Sequence, residues 1–278
     1  MNPPTENNPA LWHGVFPFPK PDGHKYDRGS ALIAGGEIMT GAARLAARAA
    51  QRMGAGLVTL AAPKAAFAIY AEALESIIVQ SADDLGAWQN LLDDPKRNAL
   101  LLGPGYGHGK RQTDFIKAAL ASKKSCVLDA DALTAFADTA DAFFKMLHPS
   151  SVLTPHEGEF ARLFGKHLDM QADKITRARE ASRLANCIVL LKGNETIIAQ
   201  PDGRTIVNRN APPWLATAGA GDVLAGMILG LAAQSMPLFE ASAAAAWLHG
   251  SVATAFGPGL IAEDLVNGIP QALKGLAA

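Results

Sequence analysis

The sequence predicts an α/β fold in which a mostly parallel sheet is flanked by helices. Two observations carry this: from residue 30 onward short β-type runs alternate with longer helical patterns, and those β-type runs are apolar almost throughout, as strands covered on both faces are. A third observation, that no repeat or linker-like stretch interrupts the 278 residues, assigns them to one domain. At this length a single domain buries roughly three quarters of the surface of its unfolded chain, so neither disulfide nor structural metal is required. The expected division is an extended arm over 1–24 and a single domain over 25–278.

Taken in order, the first 21 residues carry six prolines and no uninterrupted apolar stretch, which reads as an extended arm and not as a signal peptide. Strands are expected at 31–34, 57–61, 76–80, 99–102, 126–129, 151–153 and 188–191. Crossover helices are expected at 41–53, 64–73, 111–121, 157–164 and 172–185. The runs 196–200 and 205–208 flank Pro201-Asp202-Gly203, a turn signal that makes them a hairpin. From Gly219 the chain is expected to be helical at 219–235, 238–256 and 262–275. Arg44, Arg48 and Arg52 recur every four residues on the helix 41–53 and read as a solvated stripe, since a helix face is a poor phosphate cradle compared with a helix N-terminus.

Composition excludes several functions. Lys and Arg number 25 against 26 Asp and Glu, a net charge of −1, with no basic run and 6% aromatics. That is no footprint for nucleic acid or for an anionic membrane surface. The longest apolar run, 223–233, has eleven residues including two glycines, short of the roughly 20 needed to cross a bilayer. Cys126 and Cys187 each precede an aliphatic run and read as small buried hydrophobes, which suits a reducing cytoplasm.

The familiar phosphate loops fail on inspection. A P-loop ending at Gly109-Lys110 would need glycine at Pro104 and Ser or Thr at Arg111, and Gly103-Pro104-Gly105-Tyr106-Gly107 lacks the last glycine of a dinucleotide fingerprint, at His108. The latter segment reads equally as a strand-to-helix turn and as a place where backbone approaches a ligand at the carboxyl edge of the sheet. Gly219-Ala220-Gly221-Asp222 is more informative. Two glycines open a strongly apolar helix, so unpaired N–H groups and the positive end of the helix dipole converge there as an anion hole. A carboxylate beside such a site would repel a bound phosphate. Phosphoryl transfer resolves the conflict: the amides stabilise charge on the transferred group while Asp222 takes a proton from the attacking hydroxyl. Beside positive dipole ends the Asp222 pKa is expected to be lowered, so that it accepts the proton late.

Other loops reach the same sheet edge. Thr154-Pro155-His156-Glu157-Gly158-Glu159 opens a helix but lacks the second histidine of a metalloprotease, since residue 160 is Phe160. Glu157 and Glu159 suit a first helical turn, and His156 reads either as a turn residue or as a ligand contact. Asp129-Ala130-Asp131 offers carboxylates that cap a helix or position Mg²⁺ through water. Lys192, leaving the strand 188–191, reads as a snorkelling side chain or as a partner for a nucleotide phosphate.

With these loops assembled, the sequence resembles the ribokinase-like superfamily, and within it the ADP/ATP-dependent NAD(P)H-hydrate dehydratases. The resemblance runs from His24 nearly to the end, through His24-Lys25-Tyr26-Asp27-Arg28-Gly29, Met39-Thr40-Gly41-Ala42-Ala43, Gly54-Ala55-Gly56-Leu57-Val58-Thr59, Gly103 to Gly107, Leu128 to Leu133, Thr154-Pro155-His156 with Glu159-Phe160, Lys192-Gly193 with Thr196, Ala218 to Gly226, and Trp247-Leu248-His249-Gly250. Gly-x-Gly-Asp alone indicates only the superfamily; the ordered set is specific.

The resemblance implies a ribokinase-like three-layer sandwich and a metabolite-repair activity. The C6 hydroxyl of hydrated NADH or NADPH is phosphorylated by ADP, or less expectedly ATP, and phosphate is then eliminated to restore NADH or NADPH. It implies Asp222 as the base, Gly219, Ala220 and Gly221 as the anion hole, and Lys192, Gly193, Asn194, Glu195, Thr196 and Gly221 as nucleotide contacts. The hydrated dinucleotide would lie against Ala42, Gly105, His156 and Asp222. Glu159 matches the glutamate of the superfamily's Asn-x-x-Glu motif, tied to Mg²⁺ through water, with His156 in place of the asparagine. Tyr26 and Tyr106 stand where the family usually has small or aliphatic residues. A homotetramer is implied, for which the Ala-rich helices 238–256 and 262–275 offer small-residue faces, and so is an epimerase partner on a separate chain. A vitamin-precursor kinase of the same fold shares the anion hole and the aspartate and is the alternative.

Overall fold

Ten strands hydrogen-bond into one sheet in the computed structural model, which describes residues 3–277. In chain order they are β1 Thr5–Glu6, β2 Ser30–Ala34, β3 Leu57–Ala62, β4 Ile78–Ser81, β5 Arg97–Leu102, β6 Ser125–Leu128, β7 Ser151–Leu153, β8 Ile188–Leu191, β9 Thr196–Ala199 and β10 Thr205–Asn208. Their order across the sheet is β1-β10-β9-β8-β7-β6-β5-β2-β3-β4, antiparallel only where β9 meets β8 and β10. The helices are α1 Thr40–Arg52, α2 Phe67–Ala73, α3 Leu85–Leu92, α4 Lys110–Ala121, α5 Asp131–Thr134, α6 Ala140–Phe144, α7 Glu157–Phe164, α8 Lys174–Ala185, α9 Ala220–Ala233, α10 Leu238–Phe256 and α11 Ala262–Ala277.

The strands divide two cores by the period of two inherent in a pleat. Ala31 and Ile33 of β2 join the core that α1, α9, α10 and α11 cover, while Leu32 and Ala34 join the one beneath α3 to α8. This makes three layers. Every expected strand is present, as is the 196–208 hairpin. The expected helices are present too, with ends shifted by a few residues: α8 starts at Lys174 because the Asp173 side chain caps it, accepting from Thr176 N–H at 3.0 Å.

Four elements are additional. β1 pairs in parallel with β10, placing Thr5 opposite Ile206 and Glu6 opposite Val207. α3 is capped by Asp84, and α5 and α6 are single short turns after β6. The small-residue faces expected on the C-terminal helices are not free. The alanines of α10 from Ala241 to Ala246 are buried within the chain, and Leu265, Val266 and Ile269 of α11 are buried too, because these helices close the second layer. Cys126 and Cys187 are buried free thiols, and burial pushes the Cys126 pKa up to about 12. Among the described residues no helix is long and apolar enough to cross a membrane.

Two features position the site. The chain runs outward through β2, β3 and β4 and then returns to β5 on the other side of β2, so the loops after β2 and β5 diverge at a topological switch point. On the other face, α9 lies unusually close to α1: a Cβ on Gly226 would sit 2.2 Å from the Ala46 carbonyl oxygen, and one on Gly230 2.5 Å from that of Ala50. Two glycines one turn apart thus let backbone pack on backbone and bring the start of α9 to the sheet edge.

Candidate active site

At that start Gly219 is the N-cap residue of α9, with a φ of +86° that favours glycine. A Cβ there would also press on Leu45 Cδ1 and Ala262 Cβ, both at 2.8 Å. The first N–H groups of α9 have no intrahelical acceptor. That of Ala220 turns back to the Thr217 carbonyl at 3.4 Å, which leaves Gly221 and Asp222 as the better anion donors of the turn. His249 of α10 supports the turn from behind. Its Nε2 lies 3.0 Å from the Ala220 carbonyl, and since a carbonyl only accepts, Nε2 carries the proton. Burial lowers the His249 pKa to about 4, so the ring is neutral.

Lys192 reaches the same turn from the end of β8. Its Nζ donates to Asp129 Oδ1 at 2.8 Å and would lie 3.4 Å from a Cβ on Gly221. Thr154 Oγ1 donates to the same Asp129 oxygen, also at 2.8 Å. Asp129 ends β6 and is followed by Ala130, whose φ of +46° is strained for a residue with a Cβ. Asp131 Oδ2 accepts from Gly107 N–H at 2.8 Å and so ties the loop after β5 to this cluster.

Burial first, and these carboxylates second, set the protonation of Asp222. Burial pushes its pKa up to about 7, and Asp129, then Asp131 and Glu159, reinforce the rise against the opposing charge of Lys192. The lowering expected from the helix dipole is overturned. A first-turn amide field acts alone only at an exposed helix end, whereas Asp222 is half-buried and feels the negative charge of Asp129, Asp131 and Glu159 on other elements.

His156 and Glu159 form a reciprocal cap on α7. His156 Nδ1 accepts from the N–H groups of Gly158 (3.0 Å) and Glu159 (3.3 Å), while Glu159 Oε2 accepts from His156 N–H at 2.9 Å. Histidine therefore does here what an asparagine does at an N-cap. Glu159 Oε1 also faces His156 Nε2 at 3.4 Å, so both its oxygens are engaged. Among the described residues no three His, Cys, Asp or Glu side chains are grouped to hold a metal ion. That donor set does not fit a cation caged by protein side chains alone; a divalent cation bound mainly by phosphates would need only one or two carboxylates.

A cavity of about 870 Å³ opens beside Gly221. Lys192, Gly193, Asn194, Thr196, Gly221 and His156 line it, together with an apolar wall that includes Pro212, Pro213, Leu215 and Ala246. Glu195 does not line it; its carboxylate accepts from Arg209 at 2.6 Å. Ala42 and Gly105 lie elsewhere, together at the switch point: a Cβ on Gly105 would be 3.1 Å from that of Ala42, and one on Gly36 would strike the Gly105 carbonyl. Tyr106 beside them is buried, and its hydroxyl has no partner among the described residues. Arg48 is exposed and donates to the Ala73 carbonyl at 2.9 Å, in keeping with a solvated stripe.

Lys174 is the residue that sequence reasoning missed. Its Nζ donates to the carbonyls of Lys192 (3.0 Å) and Glu195 (2.7 Å), pinning the cavity loop from beneath. One signal was available: it is a lysine at the first position of a helix, where the dipole disfavours positive charge.

Comparison with known proteins identifies the family. The model of the NAD(P)H-hydrate dehydratase family matches residues 30–266. The ADP-dependent (S)-NAD(P)H-hydrate dehydratase of Neisseria meningitidis is 38% identical, over 86% of this chain and 81% of its own. The bifunctional NAD(P)H-hydrate repair enzyme of Salinibacter ruber is 36% identical over 96% of this chain but 52% of its own, so the chain spans about half the length of such relatives. The crystal structure of the ADP/ATP-dependent NAD(P)H-hydrate dehydratase of Bacillus subtilis, co-crystallised with ATP and Mg²⁺, superposes with a TM-score of 0.86 at 29% identity, covering 99% of each chain. The layered fold is the ribokinase-like one. The chain belongs to the NAD(P)H-hydrate dehydratase family.

Proposed function

We propose that this protein restores NADH and NADPH from their C6-hydrated forms at the expense of a nucleotide, with ADP the favoured phosphoryl donor. The observation that carries the reading is the convergence, at one helix N-terminus, of a cation held 2.8 Å from a buried carboxylate and a second carboxylate whose pKa is raised to about 7. A poised base beside an anion hole is what phosphorylating a hydroxyl needs.

In this reading the nucleotide occupies the cavity, its phosphates on the N–H groups of Gly221 and Asp222 and on Lys192. The hydrated nicotinamide lies toward Ala42 and Gly105, with His156 lining the cavity. Asp222 takes the proton from the C6 hydroxyl as its oxygen bonds to the terminal phosphorus and the bond to the departing nucleotide breaks. That leaves AMP if the donor is ADP. Loss of phosphate from C6, with the C–O bond's electrons, and of a proton from the adjacent C5 to solvent or to the departing phosphate then re-forms the ring double bond. Glu159 and Asp131 are the carboxylates that would hold a Mg²⁺ arriving with the nucleotide, and that ion would supply charge neutralisation of the phosphates. Glu195 acts on the nucleotide loop from outside, through Arg209.

A cytoplasmic homotetramer is the corresponding proposal for the assembly; Ile38 and Met39, 92% and 66% exposed beside the switch point, favour a subunit contact there. The relatives named bifunctional are about twice the length of the segment they share with this chain. A second activity is fused to this one there, which weighs against a separate epimerase chain as the general arrangement. The deciding experiment is to incubate the protein with chemically hydrated NADH or NADPH, Mg²⁺ and either ADP or ATP, and to follow the reduced-nicotinamide absorbance. Recovery dependent on nucleotide is expected. No recovery with either, alongside phosphorylation of a vitamin-precursor alcohol, would replace the dehydratase by a kinase.

A further inference from the structure

The N-terminal arm is tied to the nucleotide cavity by a chain of buried amides that a mere tail would not need. Asn7, following β1, is 7% exposed. Its backbone N–H donates to the Val207 carbonyl at 2.8 Å, continuing the β1–β10 pairing. Its side-chain Nδ2 donates to Asn208 Oδ1 and to the Ala243 carbonyl, both at 2.8 Å, and its Oδ1 accepts from Trp12 Nε1 at 3.2 Å. Asn208, at the end of β10, is only 2% exposed and yet lines the cavity. Its own Nδ2 donates to Asn210 Oδ1 at 2.9 Å, and Asn210 Nδ2 holds the Trp247 carbonyl at 2.7 Å. The chain therefore runs from the arm through the cavity wall to α10, next to Ala246, which also lines the cavity.

We propose that Asn7 is a positioning residue for nucleotide binding, acting through Asn208; this rests on the reading of the cavity as the nucleotide site. Every hydrogen-bonding atom of the Asn7 amide is used, and Asn7 orients the Asn208 amide by occupying its oxygen. Without Asn7 that oxygen is a buried acceptor with no donor, and the amide has to rotate, into the cavity, to find one. A second link runs over the surface: Arg209 bonds both Glu6 of β1 and Glu195 of the loop pinned by Lys174. Half-exposed ion pairs contribute little individually, so the buried amides are the test.

The experiment measures ADP and ATP affinity by calorimetry, and KM for nucleotide and for hydrated dinucleotide separately, in the full chain and in Asn7→Ala. If the alanine variant does not fold, Asn7→Ser takes its place. Trp88→Phe, on the opposite face of the sheet, serves as a variant destabilised away from the arm. Asn7→Ala should weaken nucleotide binding about five- to tenfold, the worth of one oriented hydrogen-bonding group, with the KM for the hydrate and kcat within about twofold. Trp88→Phe should lower the melting temperature and leave nucleotide affinity unchanged. Unchanged nucleotide affinity in Asn7→Ala, or a parallel rise in both KM values, overturns the proposal. A wild-type chain that binds ADP or ATP but repairs no hydrate would refute the dehydratase reading and leave this one standing; one that binds neither refutes it.

Discussion

The Lys192 ammonium and the Asp129 carboxylate lie 2.8 Å apart, and Asp129 is 2% exposed. A pair this buried is not free stabilisation, since taking two charges out of water costs several kcal/mol that their attraction only balances. Its use is placement, because Asp129 aims the cation at the first turn of α9. Removing one partner leaves the other stranded. Asp129→Leu and Lys192→Met should each cost about 3 kcal/mol in urea denaturation, and the double variant clearly less than their sum. Strict additivity would mean that the pair is not energetically coupled. Both single variants should raise the nucleotide KM.

The close packing of α9 on α1 gives a second prediction. A methyl at Gly226 would fall 2.2 Å from the Ala46 carbonyl oxygen, a backbone atom that no rotamer change can move. Gly226→Ala should therefore destabilise the fold by about 2–3 kcal/mol, in the range of overpacked cores. It should also raise the nucleotide KM, since the displaced helix carries the turn proposed to bind the phosphates. Gly41→Ala, whose added methyl meets nothing within 4 Å, is the matched control and should leave the nucleotide KM unchanged and the fold no less stable.

What could be read from sequence was whatever is decided locally. Strands such as β5 and β8 are legible because burial on both faces leaves an apolar run, and α10 because its pattern extends without a break over 238–256. β1 was not legible: a pair of residues in a proline-rich arm becomes a strand only through its partner β10. α3 has eight residues and one cap, too little for a periodic signal. The glycine-built turn at 219–221 was legible as a helix start because it needs no partner. The protonation of Asp222 was not, since it depends on where Asp129, Asp131 and Glu159 arrive. The same is true of Lys174 and of Asn7, whose roles lie entirely in contacts distant along the chain.

Asp222 is expected to set the acid limb of catalysis. Its pKa of about 7 in the free protein makes the unprotonated base scarce below neutrality, so kcat/KM should rise with pH through that region. Asp222→Asn should bind nucleotide normally yet lose at least about 10²-fold in turnover, the lower range for a positioned base. Near-normal turnover of hydrated NADH by that variant would remove Asp222 from the chemistry.

The same residue and His249 should oppose one another in stability. Between pH 4 and 6.5 an unfolded Asp222, with its ordinary pKa of 3.8, has lost its proton while the folded one, near 7, keeps it, so the native state binds one proton more. His249 does the reverse: unfolded at 6.5 it is protonated, folded near 4 it is neutral, so the unfolded state binds one proton more. Stability falls with rising pH for the first and climbs for the second. The slopes nearly cancel, leaving His148, whose pKa burial also lowers, and Glu157, whose burial is outweighed by Arg177 and Lys174 so that its pKa is lowered, to tilt the balance upward. Asp222→Asn should expose the histidine term, and its stability should climb by up to about 1.4 kcal/mol per pH unit across this window. By pH 8 it should exceed the wild type by a few kcal/mol, at roughly 1.4 kcal/mol for each tenfold change in proton affinity. Urea denaturation of both proteins from pH 4 to 8 checks this. Parallel profiles would mean that the Asp222 carboxyl titrates as an ordinary surface group, and the base would then need another explanation for its place at a buried helix end.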